Sequence, residues 1–318
     1  MRIRIIYILV LITFFSCSKE KNLIIDVSKI KANVKIKRFE QDFYKALPSD
    51  LSKIKKEYRY LFPHNIDSIW VKKMQDKDEQ ELFVETQKVF PNLKKEKEKL
   101  KDLFQHIKYY YPKFKEPKIV TVNSNVSFEQ QVVYTDSLLF ISLDVFLGTD
   151  SKIYEDYPDY LKQNFTKEHL IVSVAEELAR SVVFRSKDRT FIARIIQQGK
   201  LLYALDAFLP KESEANKIGY TKEQLKWVEA NERMIWNYFV EKKLLYNTDL
   251  KLNKRFIDRA PFTKFYLDID SESPGRVGTW IGWQIVKSYM KHSKSKLKEL
   301  MQTENEEIFK KSKYKPRK

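Results

Sequence analysis

The chain has 318 residues, of which 43% are hydrophobic and 14% aromatic, so it can bury a sizeable core and is neither disordered nor a low-complexity scaffold. Its single cysteine excludes a disulfide framework and any zinc site built from several cysteines. Sixty basic residues against 43 acidic ones give a net charge of +17. This charge favours a polyanionic binding partner without identifying it.

The first residues of the chain have the pattern of a secretory signal. Arg2 and Arg4 form a short positive region, and residues 5–15 are apolar apart from Thr13. Such a run spans roughly 16 Å as a helix, too short for a bilayer core of about 30 Å. We therefore predict a signal peptide over residues 1–16 and not a membrane-spanning anchor.

A cysteine follows the small residue Ser16, and this arrangement resembles the lipobox of bacterial lipoproteins. In a lipobox the cysteine sulfur receives a diacylglycerol and the peptide is cut before it, so Cys17 is the predicted lipid-attachment site. The alternative is an ordinary signal peptide with an incidental cysteine, but Cys17 is the only cysteine in the chain. A lipid anchor contacts the membrane and places the protein outside the cytoplasm, where nucleic acid is not an expected partner.

The residues after Cys17 bear on location and on the start of the domain. No acidic run follows the cysteine, which favours an outer-membrane lipoprotein that faces the periplasm. We expect residues 17–38 to be a lipid-anchored tether that runs into a first strand or a docked arm. A single globular domain is expected over residues 39–305, followed by a basic C-terminal tail over residues 306–318.

The first third of the domain has helical patterns. Residues 39–60 and 66–90 are predicted to form helices, with a break at Pro48 in the first of them. Asn92 is the predicted cap of a further helix, which ends at Pro112.

After this helix the residue pattern changes from helical to strand-like. Residues 119–122, 131–134 and 138–146 are strand candidates, and a short Thr-Asp-Ser turn joins the last two. The third candidate is apolar over most of its length, which indicates a covered strand. This is the one strongly β region, and helices follow it to the end.

The predicted helices of the second half include two that are apolar almost all round, at residues 166–184 and from Gly275 to Tyr289. Between them, residues 188–208 form another predicted helix, and a capping box marks the helix that begins after Thr221. The expected fold class is α+β, predominantly helical, with one domain and a small sheet near residues 118–147.

This order of strands, buried helix and second helix resembles the frame in which zinc peptidases of the zincin type carry their site. Those enzymes use two histidines four residues apart on one helix, a glutamate beside the first histidine, and a third ligand from the next helix. On that frame Ala175 and Ala179 stand at the histidine positions and Gln198 at the third ligand, while Glu176 remains. A methyl group cannot ligate Zn²⁺, so we expect a degenerate zincin-like fold with no metal, no cofactor and no catalysis.

Glu176 has two interpretations. It is either a leftover acid in a ligand-binding cleft, with Arg180 beside it, or a structural partner of Arg180 or Arg194. The second interpretation is favoured, because acidic and basic residues four apart on a helix commonly pair.

A segment with three of the six glycines is the most unusual in the chain. Gly278 and Gly282 lie on one helical face and would let another backbone approach closely. The functional interpretation places Arg276 and Trp280 at a partner or anion site at the helix start. The structural interpretation is tight helix packing beside the buried helix 166–184, and the sequence leaves both open.

The sequence resembles the gliding-motility lipoprotein B family (GldB) over nearly its whole length. The resemblance rests on VAEELARSVV at residues 174–183, IIQQGKLLYALDAFLP at 195–210 and SPGRVGTWIGWQIVKSYM at 273–290. It implies a cell-envelope lipoprotein required for bacterial gliding, with other gliding-machinery proteins as partners. The only site residue that it carries across is Cys17.

Three functional hypotheses follow. The leading one is a non-catalytic, lipid-tethered scaffold or adaptor of the gliding machinery. The rival is an envelope peptidase-like or cell-wall-active enzyme that uses Glu176. A third takes the net charge of +17 as the sign of binding to an anionic envelope polymer, which should weaken with salt.

Overall fold

The computed structural model describes residues 25–63, 66–135 and 137–317. The predicted signal peptide and the predicted lipid-attachment site Cys17 lie outside these residues. Within the described ranges, no helix combines the length and the apolar character that crossing a membrane requires.

A four-stranded sheet lies at the predicted place. Its strands are β1 (Ile36–Arg38), β2 (Lys118–Val122), β3 (Val132–Tyr134) and β4 (Leu138–Ser142). The order is β1-β2-β4-β3, with β1, β2 and β4 parallel and β3 antiparallel to β4. The expected tether therefore ends in a strand of the sheet, since β1 pairs with β2 over its whole length.

The fourth strand is shorter than predicted, because Asp144 turns the chain. Residues 143–145 form a 3-10 turn, and the buried carboxylate of Asp144 accepts hydrogen bonds from the backbone N–H groups of Ser124 and Val126. Leu143 and Val145, which the sequence assigned to the strand, therefore lie in a turn and pack in the core.

Helices surround the sheet and form most of the chain, in agreement with the predicted α+β class. They are α1 (Phe39–Tyr44), α2 (Leu51–Glu57), α3 (Asp67–Gln75), α4 (Lys77–Val89), α5 (Lys94–Tyr110), α6 (Asp159–Lys162), α7 (Leu170–Arg180), α8 (Phe191–Phe208), α9 (Glu214–Ile218), α10 (Lys222–Ala230), α11 (Glu232–Glu241), α12 (Lys251–Phe256), α13 (Val277–His292), α14 (Leu297–Gln302) and α15 (Asn305–Ser312).

The two faces of the sheet pack against different helices. Alternate side chains of a strand point to opposite faces, so Ile119 faces the main core while its neighbour Val120 faces a smaller one. The smaller core holds aromatic side chains of the first helices, among them Phe39, Phe43 and Tyr58. The sheet is thus a layer between an N-terminal helical cover and the helical bulk of the domain.

Helices α8 and α13 cross at the centre of the main core, and glycines allow their close contact. A Cβ atom on Gly282 would lie 1.8 Å from the carbonyl oxygen of Ile195, and one on Gly199 would lie 2.2 Å from that of Gly282. The glycine-rich segment therefore packs tightly, as its structural interpretation required. Its neighbour is α8, however, and not the helix at 166–184 that the sequence indicated.

The chain after residue 305 packs on the domain. Residues of α15 belong to the core, since Ile308 is fully buried. Beyond α15, Tyr314 donates a hydrogen bond to the carboxylate of Glu232 at 2.8 Å and stacks edge-to-face on Trp236. We expected a basic tail from residue 306, but these contacts attach it to α11.

Candidate functional site

A cleft with a volume of about 650 Å³ opens beside α7. Its walls come from α6, α7, α8, the residues before and at the start of β3, the loop after α12 and the start of α13. The polar lining consists of Glu129, Gln131, Tyr160, Ser173, Glu176, Glu177, Arg180, Gln198, Asp258, Arg259 and Arg276.

Three of the four predicted cleft or partner-contact residues lie in this cleft. Glu176 and Arg180 come from α7, and Arg276 comes from the residue that precedes α13. Trp280 does not lie there. Its side chain is fully buried and packs edge-to-face on Trp283. The predicted partner contact of Trp280 is therefore wrong, because the side chain one helical turn after Arg276 already lies in the core.

Glu176 pairs with Arg180 within α7. Their side chains form a hydrogen-bonded ion pair, and the Arg180 Nε atom lies 3.8 Å from Glu177 Oε2. Arg194, the other partner considered, instead donates to the side chain of Asn253 and to a backbone carbonyl. The ion pair is only part of the environment of Glu176, because its side chain also faces the cleft and is 21% exposed.

Arg276 is held in an uncommon backbone conformation at the edge of the cleft. Its φ of 64° is left-handed, a region that residues other than glycine seldom adopt. A guanidinium N–H group donates to the backbone carbonyl of Ile218, which ties the side chain to the end of α9. This contact leaves the rest of the guanidinium for the cleft.

Arg259 is the cleft residue that sequence reasoning missed. It lies in the loop after α12, directly before Ala260 and Pro261, where no helical spacing relates it to Glu176. Arg259 forms no hydrogen bond or ion pair with any residue in the described part of the chain. The only signal available was a basic residue in a short loop, and such residues are too common in this sequence to single one out.

The charges in the cleft interact strongly. Burial by itself disfavours the charged form of Glu176, but the guanidinium groups of Arg180, Arg276 and Arg259 outweigh it and hold the pKa of Glu176 below its ordinary value. Burial and the like charge of Arg276 together lower the pKa of Arg259. Glu176 is therefore a carboxylate at neutral pH and is surrounded by an excess of positive charge.

Two buried polar groups near the cleft lack partners among the described residues. The hydroxyl of Ser173 in the cleft wall has none, although Ser173 is only 3% exposed. The Nδ1 atom of His169 lies 2.8 Å from Asn216 Oδ1, but its Nε2 atom is unpaired. Burial lowers the pKa of His169 to about 4, so the imidazole is neutral at pH 7.

The two segments aligned with the zincin frame do meet at the cleft. Gln198 lines the wall that α8 contributes, opposite residues of α7, while Ala175 and Ala179 are fully buried. Across residues 25–63, 66–135 and 137–317, no group of three or more histidine, cysteine, aspartate or glutamate side chains is arranged to hold a metal ion.

In chemical terms the cleft is a ligand-binding site of mixed charge, lined by three arginines and four acidic residues. Among the described residues, one guanidinium of the cleft forms no hydrogen bond or ion pair, a second is only partly engaged, and one buried hydroxyl forms no hydrogen bond. Groups of this kind recognise anions, because guanidinium and hydroxyl groups donate hydrogen bonds that strengthen when the acceptor is charged.

Comparison with known proteins gives one match. The family model described as gliding motility protein GldB matches residues 20–316. No curated protein and no solved structure matches the chain. The matched range includes every residue of the cleft.

Proposed function

Because the chain belongs to the family of gliding motility protein GldB, we propose that it acts in surface gliding as a lipid-anchored, non-catalytic scaffold or adaptor of the cell envelope. Gliding follows from the family. The non-catalytic role is supported by Ala175 and Ala179, whose buried methyl groups stand where a zincin-like frame requires metal-binding histidines.

The degenerate zincin-like frame is part of this proposal. Helices α7 and α8 lie side by side after the sheet, and Glu176 and Gln198 face the same cleft from the two helices. This is the arrangement that the sequence alignment to the frame requires. With alanine at both histidine positions and a neutral amide at the third ligand position, such a cleft retains the shape of a binding site without the means to activate water.

An envelope enzyme that uses Glu176 is the alternative. The position of Glu176 in the cleft wall favours it, since a catalytic carboxylate must reach its substrate. The ion pair with Arg180 speaks against it, because positive neighbours that lower the pKa of Glu176 make it a weaker base.

Replacement of Glu176 separates the two roles. We expect a deletion strain that lacks this protein to lose colony spreading, and Glu176→Gln to restore spreading as fully as the unchanged gene. A general base contributes about 10²- to 10⁴-fold to a rate, so an enzyme would lose its function in this variant. Spreading and protein level are measured together. Glu177→Gln, its neighbour in the same wall, is the matched control. Loss of spreading in Glu176→Gln alone, at a normal protein level, would establish the enzyme.

The lipid anchor gives a second test. We expect Cys17→Ser to abolish incorporation of labelled palmitate and to release the protein from the membrane fraction, because several acyl chains, at about 0.8 kcal/mol per buried CH₂ group, hold a protein on a bilayer. Ser18→Ala is the control and should remain lipidated. An outer-membrane protein that faces the periplasm also resists protease added to intact cells. Palmitate incorporation without Cys17, or cleavage in intact cells, would contradict this assignment.

A further inference from the structure

Two arginines of the cleft keep guanidinium N–H groups that the described residues do not use. Arg259 forms no hydrogen bond or ion pair with a described residue, although the charge of Glu176 attracts it, and Arg276 uses one of its N–H groups on the carbonyl of Ile218. Arg180 is different, since Glu176 already occupies it. The two arginines that remain lie close enough for their like charges to interact. The carboxylate of Glu176 offsets part of this repulsion, and a bound anion would offset more of it.

Ser173 supplies an independent observation. It is 97% buried in α7, it lines the cleft, and its hydroxyl has no hydrogen-bond partner among the described residues. A buried hydroxyl is normally satisfied, because leaving it unpaired costs about 1–3 kcal/mol. The same cleft contains Gln131, whose buried side-chain oxygen also has no hydrogen-bond partner in the described part of the chain. The site therefore has hydrogen-bonding groups that are available to a bound ligand.

The rim of the cleft indicates which anion fits. Glu129 and Asp258 line the cleft and are exposed, and Glu177 lies half-buried in its wall. Negative charge at the rim repels a polymer with many phosphates, whereas the guanidinium groups of Arg259 and Arg276 can pair with a single anionic group. A carboxylate matches the planar fork of a guanidinium with two parallel hydrogen bonds.

We propose that the cleft binds one carboxylate group, of a free organic acid or of a peptide C-terminus, through Arg259 with Arg276 and the hydroxyl of Ser173 beside it. The volume of about 650 Å³ lies within the range of small-ligand sites and accommodates either source. This inference rests on the proposed function in one respect: the ligand is bound and not turned over.

Calorimetric titration of the purified full-length chain in detergent tests the assignment. The probes are the tripeptide acetyl-Ala-Ala-Ala with a free C-terminal carboxylate, the same tripeptide as its C-terminal amide, succinate, and inorganic phosphate. We expect at least one of the two carboxylate probes to bind, and Arg259→Gln to weaken that binding about tenfold or more, since a hydrogen bond to a charged group is lost. Lys254→Gln removes an exposed charge from α12, outside the cleft, and should bind like the parent.

The outcomes are decisive in both directions. Tighter binding of the tripeptide than of succinate assigns the carboxylate to a chain terminus, and the reverse assigns it to a free acid. Equal binding of the tripeptide and its amide without succinate binding, tighter binding of phosphate than of either acid, or no binding of either acid up to about 10 mM would overturn the proposal. Arg259→Gln with parental affinity would also overturn it.

Two further measurements cover the cases in which the variant unfolds or the peptide is cleaved. If Arg259→Gln unfolds, Ser173→Ala replaces it and should weaken binding by severalfold, while the comparison of acid and amide uses the unchanged protein. Mass spectrometry of the recovered tripeptide separates the two proposals. Cleavage would contradict the non-catalytic role and leave the binding site intact, whereas intact peptide without binding would contradict only the site.

Discussion

Gly282→Ala is expected to destabilise the protein by about 3 kcal/mol or more. The added Cβ atom would lie 1.8 Å from the backbone carbonyl oxygen of Ile195 and 2.4 Å from its carbonyl carbon. Backbone atoms in the middle of α8 cannot move aside as a flexible side chain can, so the two central helices of the core must separate. Chemical denaturation of the parent and the variant, with their slopes compared, measures the difference in the free energy of unfolding.

The sign of this effect is informative, because helix propensity acts in the opposite direction. Alanine in place of glycine in a helix interior stabilises by about 1 kcal/mol when nothing opposes it. A stabilised Gly282→Ala would therefore show that α8 and α13 do not approach as closely as described. Lys291→Ala, an exposed position of the same helix, is the matched control and should change stability by less than about 0.5 kcal/mol.

Lys217→Met is expected to lower the free energy of unfolding by about 3–5 kcal/mol, because it removes one partner of a buried ion pair. The Nζ atom of Lys217 lies 3.0 Å from Asp206 Oδ1, and the two side chains are 5% and 10% exposed. The second carboxylate oxygen accepts a hydrogen bond of 2.8 Å from Trp283 Nε1. Without Lys217, the carboxylate keeps this hydrogen bond but loses the cation in contact with it. Thermal and denaturant unfolding give the size of the loss.

The pH dependence of Lys217→Met has a definite direction. Burial raises the pKa of Asp206 even in the parent, and removal of the neighbouring ammonium raises it further. A carboxyl group whose folded pKa is raised above its unfolded value destabilises the fold at high pH and ceases to do so as pH falls below the folded pKa. The difference in unfolding free energy between the parent and Lys217→Met should therefore be smaller at pH 5 than at pH 8. An unchanged loss across this range, or a loss no larger than that of the exposed control Lys298→Met, would contradict the argument.

Much of the fold could be predicted because its signals are local. Thr221 and Gln224 cap α10 reciprocally as the capping box required, and α5 ends where Pro112 follows it. The sheet lies where the apolar runs indicated it. Helix caps and strand patterns depend on residues a few positions apart, so no knowledge of the tertiary structure is needed to identify them.

The candidate site could be predicted only in part. Glu176 and Arg180 pair because residues four apart on a helix are neighbours, and Gln198 was found through the alignment to a zincin-like frame. Trp280 was misplaced, because residues of α13 that seemed available for contact face α8 and the core. Arg259 had no signal that distinguished it from other basic loop residues, since its relation to the cleft comes from the path of a loop.

By itself, the sequence determined the α+β class, the start of α10 at its capping box, the end of α5 before Pro112, and the resemblance to one family. These properties depend on local spacing and on recognisable segments. Only the tertiary structure decided that α13 packs on α8, that the C-terminal residues attach to α11, and that Arg259 and Arg276 face Glu176 across one cleft. Such contacts join residues far apart in the chain, and the packing of whole helices determines them rather than any local pattern.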